Sequence, residues 1–175
     1  MSKMQMPKSF LPNLFTFINL SLGIFSLLMS FSKNYLIASI LILCAGLIDR
    51  YDGKVARFFG CSSEIGKELD SLADLVSFGV APSMLLCLLY NFTSLGFIGY
   101  IIVIIFPIAG AYRLAKFNIM DFKNVYTGIP ITIAGAIAAL YALLTYRTPT
   151  NMLITIIVLL SLAYLMVSNF KFKKF

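Results

Sequence analysis

Six of the chain's seven acidic residues, Asp49, Asp52, Glu64, Glu68, Asp70 and Asp74, fall in the single stretch from Asp49 to Asp74. Helical spacing orders them. At about 100° per residue, Asp49 and Asp52 lie about 60° apart on a face that also carries Gly53 and Ala56, with Arg57 one turn further on. Gly66, Asp70 and Asp74 recur every four residues and line one face of a following helix, with Lys67 beside Asp70. Two such faces turned toward each other gather Asp49, Asp52, Asp70 and Asp74 around one cavity. Four carboxylates in a low-dielectric site need compensation, and an all-oxygen donor set suits hard divalent ions, Mg²⁺ or Mn²⁺. Gly53 and Ala56 open the backbone to an anionic ligand held by such ions. The chain has no histidine, so any general base or metal ligand must come from another residue type.

The elements that must hold these groups are hydrophobic. The chain has 175 residues, 60% of them hydrophobic, and a mean hydropathy of +0.93, which is the composition of a multi-span membrane protein. Six apolar segments are expected as transmembrane helices: Leu14 to Phe31, Tyr35 to Ile48, Leu75 to Tyr90, Leu95 to Tyr112, Ile131 to Tyr146 and Met152 to Ser168. They use most of the chain, so one all-α membrane domain over residues 1–175 is expected. The breaks between some segments are only a few residues long, which makes adjacent helices antiparallel neighbours.

The net charge of +7 reads as orientation rather than nucleic-acid binding. Lys3, Lys8, Arg50, Lys54, Arg57, Lys67, Arg113, Lys116, Lys123, Lys171, Lys173 and Lys174 fall on one side of the six segments, and Lys33 and Arg147 on the other. This asymmetry puts both termini and the acidic stretch in the cytoplasm. The run from Leu11 to Phe31 is too long for a signal-peptide core and is expected to remain as the first span. Cys44, Cys61 and Cys87 have no disulfide or metal-ligand spacing.

Tyr35 to Ile48 and Leu75 to Tyr90 make about 21 and 24 Å of helix, against a hydrocarbon core of about 30 Å. The expectation is that the aspartates at their inner ends sit below the cytoplasmic surface. Gly79, Pro82 and Pro107 are expected as packing kinks, Gly128 and Pro130 as punctuation before the fifth segment, and the KFKKF tail as a solvated anchor.

The pattern Asp49-x-x-Asp52-Gly53-x-x-Ala56-Arg57, eight residues, then Gly66-x-x-x-Asp70-x-x-x-Asp74 resembles the full signature of the CDP-alcohol phosphatidyltransferase family. The stretches Glu68 to Pro82, Arg113 to Asn118, Tyr126 to Ile131 and Pro12-Asn13-x-x-Thr16-x-x-Asn19 are similar to its phosphatidylserine synthase branch, with Lys116 standing where that branch suggests Arg. The resemblance implies attack of an alcohol, here the L-serine hydroxyl, on the β-phosphorus of CDP-diacylglycerol or its isoprenoid-ether counterpart CDP-archaeol, with CMP leaving. It implies that Asp49, Asp52, Asp70 and Asp74 hold two divalent ions and that Asp74 also accepts the hydroxyl proton. Thr16, Gly53, Ala56, Arg57, Ser63, Gly66 and Lys67 are then the residues around the CDP-lipid. Arg113, whose guanidinium fits a carboxylate, and Asn118 are candidates for serine. A homodimer also follows from the resemblance, and the charge asymmetry puts its active site on the cytoplasmic side of the cell membrane.

Rival readings differ in what the residues should do. A cation channel or transporter would spread its acids through the membrane depth rather than cluster them at one end. A membrane prenyltransferase lacks the Gly53 and Ala56-Arg57 pattern. A same-family transferase for glycerol phosphate or inositol phosphate needs more cations around the acceptor than Arg113 and Lys116 supply.

Overall fold

The computed structural model describes residues 10–59, 64–119, 125–148, 151–168 and 171–173, with side chains at all of these except 10–12, 52–59, 125–127 and 171–173. The described residues form six helical rods in the order expected from the apolar segments. Helix α1 is Phe10–Phe31 and α2 is Tyr35–Phe59. The third rod is composite: α3 (Glu64–Asp74), a π-helical segment (Leu75–Val80) and α4 (Ala81–Leu89). Helices α5 (Phe97–Ile119), α6 (Ile131–Thr145) and α7 (Met152–Val167) complete the set.

Three of the rods contain runs long and apolar enough to cross a membrane: Asn13–Phe31, Glu64–Leu89 and Phe97–Ile119. Their outer surfaces fit that solvent, because Leu28, Phe97, Ile104 and Ile108 are all more than half exposed, the reverse of a water-facing surface. The short apolar segments expected around residues 35–48 and 75–90 are parts of longer helices. Helix α2 runs for 25 residues and the composite rod for 26, so the acidic stretch continues both helices past their apolar portions.

Between α1 and α2 the chain turns in three residues. Lys33 takes a positive φ of 59°, its N–H donates to the Ser30 carbonyl at 3.0 Å, and the Asn34 N–H donates to Met29 at 2.8 Å. The Asn34 side chain then accepts from the Ile37 N–H at 3.4 Å. Across the hairpin, Ser26 Oγ donates to the Ala38 carbonyl at 2.9 Å, so a polar side chain in an apolar interface is satisfied by backbone.

Gly79 and Pro82 were expected to mark a simple kink, and the structure has a π segment instead. The Ala81 N–H reaches back five residues to the Val76 carbonyl. Pro82 supplies no N–H to continue a regular ladder, and Ser83 Oγ donates to the Val80 carbonyl at 2.9 Å. Two glycines on flanking helices accommodate this wider segment. A Cβ at Gly23 of α1 would collide with Ser77, and one at Gly135 of α6 would collide with the Phe78 backbone. Phe78, Phe106, Leu85 and Ile131 are fully buried around it, with Ala134, Ala138, Ala139 and Ala142 of α6 letting helices approach closely.

The expectation of an all-α chain needs one amendment. Val125–Thr127 (β1) pairs antiparallel with Lys171–Lys173 (β2), Tyr126 opposite Phe172. Residues 171–173 of the tail expected as a solvated anchor thus pair through their backbone with the connection between α5 and α6. Gly128, at φ 74°, turns the chain directly beneath the end of α7, where the Ile129 N–H donates to the Leu165 carbonyl at 3.1 Å.

Candidate active site

Asp70 and Asp74 sit one turn apart on α3, and Asp49 faces them from α2. One carboxylate oxygen from each lies within 4.8 Å of the others. Asp74 is the most enclosed, only 7% exposed, at the junction where α3 gives way to the π segment. Asp49 and Asp70 repel its charge, while Asn19 and Arg113 counter that repulsion. The side chain of Asn19, from α1, donates from Nδ2 to Asp74 Oδ1 at 3.1 Å. In turn Ser77 Oγ, in the π segment, donates to the Asn19 carbonyl at 2.9 Å. The acidic end of the composite rod is thus held by α1 through a side-chain bond and a backbone bond one turn apart.

The donor set fits a divalent cation. Two oxygens bound to one Mg²⁺ at about 2.1 Å are at most about 4.2 Å apart, and carboxylates bridging two ions 3.5–4 Å apart spread somewhat wider. A 4.8 Å limit on three carboxylate oxygens lies close to both arrangements. Asp49, Asp70 and Asp74 are the members of this cluster among the described residues; Asp52 follows on α2, its side chain outside the described residues.

The flanking positions divide. Thr16 is buried on α1, one turn before Asn19. Gly66 is half-buried on α3 below Asp70. Arg113, near the end of α5, is close enough for its charge to act on Asp74, and its guanidinium carbon lies 5.7 Å from the Phe117 ring centroid. Lys67 is exposed and donates to the Asn118 backbone carbonyl at 3.3 Å. The Asn118 side chain donates to Glu68 Oε1 at 3.2 Å and Ser71 Oγ at 3.0 Å. Lys67 and Asn118, assigned by resemblance to different ligands, are here parts of one clasp between α3 and α5. Gly53, Ala56 and Arg57 lie on α2 with their side chains outside the described residues, and Ser63 lies outside the described residues altogether.

Beside the acidic cluster a cavity of about 650 Å³ opens between α2 and α6. Leu43, Gly46 and Leu47 line it from one side and Ile133, Ala136 and Ile137 from the other, with Asp49 and Arg50 at its polar end. An amphiphile whose charged group sat at Asp49 would find an apolar channel beside it.

The model of the CDP-alcohol phosphatidyltransferase family matches residues 9–169 of the chain. The chain belongs to this family. Among its relatives, the CDP-diacylglycerol–serine O-phosphatidyltransferase of Bacillus subtilis is 37% identical, over 95% of this chain and 92% of the relative. The protein of that name from Helicobacter pylori strain 26695 is 36% identical over 97% of this chain and 74% of its own. The archaetidylserine synthase of Methanothermobacter thermautotrophicus is 32% identical over 94% and 70%.

For a family member, the acidic spacing read from the sequence identifies residues that the fold does bring together: Asp49, Asp70 and Asp74. Asn19, a polar residue of α1 expected to bond another helix, does so; that its partner is Asp74 was not read from the sequence. Its signal was present as an Asn one turn after Thr16 in a helix without charges, since polar residues in apolar helices mark sites or helix contacts. Glu68 and Ser71, which fix Asn118, gave no such signal, because their partner lies on another helix, 50 and 47 residues away.

Proposed function

We propose that this protein transfers a phosphatidyl group from CDP-diacylglycerol, or from the isoprenoid-ether lipid CDP-archaeol, to the hydroxyl of L-serine, releasing CMP. The observation that carries the reading is the convergence of Asp49, Asp70 and Asp74 within 4.8 Å, in a chain whose relatives are named for serine transfer. In this reaction the serine oxygen forms a bond to the β-phosphorus, the bond from that phosphorus to the CMP oxygen breaks, and the hydroxyl proton goes to a base.

Asp74 is that base. Its burial limits competing water, and the Asn19 amide, donating to Oδ1, holds the carboxylate in place. Asp49, Asp52, Asp70 and Asp74 would hold two divalent ions, Mg²⁺ or Mn²⁺. When bound, the ions neutralise the diphosphate and stabilise charge on the leaving CMP. Around the diphosphate and nucleotide stand Thr16, Gly53, Ala56, Arg57, Ser63, Gly66 and Lys67. The cavity between α2 and α6 takes apolar tail from the lipid, since its walls are aliphatic and its polar end is Asp49. Arg113 pairs with the serine carboxylate. Asn118, through its bonds to Glu68 and Ser71, holds α5 against α3 and so sets the height of Arg113.

The six rods span the cell membrane with both termini in the cytoplasm, as the distribution of Lys and Arg directs. The active site opens on the cytoplasmic side, where serine and CMP exchange with water while the lipid tails stay in the bilayer. Two copies form the working unit, by the family resemblance.

The test is an assay of purified protein with CDP-diacylglycerol, labelled serine and Mn²⁺ or Mg²⁺. Label should pass into lipid, and Asp74→Asn should lower turnover by about 10²–10⁴-fold. Incorporation from glycerol phosphate but not from serine would refute the acceptor, and full turnover in Asp74→Asn would refute the base.

A further inference from the structure

Asn19 has an amide that is only half used. The residue is 1% exposed. Its Nδ2 donates to Asp74, whereas its buried Oδ1 has no hydrogen-bond partner among the described residues. A buried acceptor without a protein partner is costly, and packing leaves α1 little freedom to relieve it. Ser77 donates to the Asn19 carbonyl, and one turn on Gly23 presses against Ser77 without room for a Cβ. Exchanging the amide nitrogen and oxygen is no remedy, because it would set an acceptor against the Asp74 carboxylate.

Amide geometry separates Oδ1 from Nδ2 by about 2.2 Å. With the 3.1 Å bond from Nδ2, Oδ1 is at most about 5.3 Å from Asp74 Oδ1. The unpaired acceptor therefore lies within one small molecule's length of Asp74 Oδ1.

We propose that Asn19 Oδ1 accepts a hydrogen bond from the ammonium group of the acceptor alcohol, so that one amide fixes the base and seats the nucleophile. The inference rests on the serine-transfer reading. The hydroxyl has one proton, and it goes to Asp74. The donor left on serine is the ammonium, carried on the carbon next to the hydroxyl-bearing one, about 3 Å from the hydroxyl oxygen in a folded conformer. A neutral amide oxygen suits this position, since a carboxylate would add another negative charge beside Asp49, Asp70 and Asp74. The arrangement separates recognition of the two ends of serine: α1 reads the ammonium and Arg113 of α5 the carboxylate.

The experiment uses the full chain in detergent with CDP-diacylglycerol and Mn²⁺, comparing L-serine with 3-hydroxypropionate, which keeps the hydroxyl and carboxylate and lacks the ammonium. The unaltered protein should favour serine by about 10-fold or more in kcat/KM. Asn19→Ala should raise KM for serine about 10-fold and shrink that preference to a similar degree, with KM for CDP-diacylglycerol within about twofold of its original value. Ser77→Ala, which removes the bond to the Asn19 carbonyl and spares the amide, should keep the preference.

Equal use of the two acceptors by the unaltered protein overturns the proposal without any variant having to fold. So does an Asn19→Ala protein that keeps the preference while its Mn²⁺ activation constant shifts, because Oδ1 then serves a metal-bound water. Equal loss of preference in Ser77→Ala also overturns it, by making the effect one of packing. If the unaltered protein transfers to neither acceptor, the serine-transfer reading itself is what fails.

Discussion

Buried polar groups gather at both ends of the composite rod, and the two ends treat them differently. At the Tyr90 end, Tyr90 donates its hydroxyl to Thr145, Thr145 Oγ1 donates to the Tyr141 carbonyl at 2.6 Å, and the Tyr141 and Thr155 hydroxyls share a bond of 3.0 Å. The Tyr90 and Tyr141 rings stack at 6.2 Å. That network joins α4, α6 and α7 through hydroxyls that bond one another and backbone. At the Asp74 end, three carboxylates crowd together and an amide oxygen beside them lacks a partner among the described residues. A network of bonded groups stabilises helix contacts, whereas mutually repelling groups held in place by packing are kept for a ligand.

The contrast breaks most sharply if a cluster carboxylate can be neutralised without harm. Asp70→Asn should reduce turnover by at least about 100-fold and raise the Mn²⁺ concentration needed for half-activation, with thermal unfolding little changed. Unaltered Mn²⁺ activation would mean that Asp70 is not a ligand. Next in size is Gly23→Val, which drives a side chain into Ser77 and should destabilise the protein by about 1–3 kcal/mol. Its melting temperature should fall and activity with it, because α1 carries Asn19. The smallest effect belongs to the opposite end: Tyr141→Phe leaves buried Thr155 short of a partner and should cost about 1 kcal/mol in detergent unfolding, with serine turnover unchanged. A loss of turnover there without a loss of stability would erase the distinction between the two ends.

Legibility followed the range of the interactions. The grouping of Asp70 and Asp74 is local, one turn of helix, and the periodicity alone puts them on a common face. The six apolar segments are legible for the same reason, each being a composition read over its own length. The partner of Asp74 is 55 residues away, and the bonds from Asn118 to Glu68 and Ser71 span 50 and 47. Nothing in either local pattern specifies these pairings. The ribbon between Val125–Thr127 and Lys171–Lys173 is hidden likewise, since three residues rich in lysine have no strand signal apart from the edge they meet. The π segment falls between the cases. Gly79 and Pro82 announced an irregularity, but its form depends on the space that Gly23 and Gly135 leave on neighbouring helices.

That segment also uncouples the two halves of its rod. An α-helix is a rigid rotor, so turning a side chain at one end turns every face along it. A π segment is equivalent to one residue inserted into such a rotor, advancing the upstream half by about 100° relative to the downstream half. Here the inserted step lies between the carboxylates of α3 and the core contacts of α4. Removing one residue from Leu75–Val80 would restore a uniform helix, keep α4 seated, and swing Asp74 about a quarter-turn out of register with Asn19.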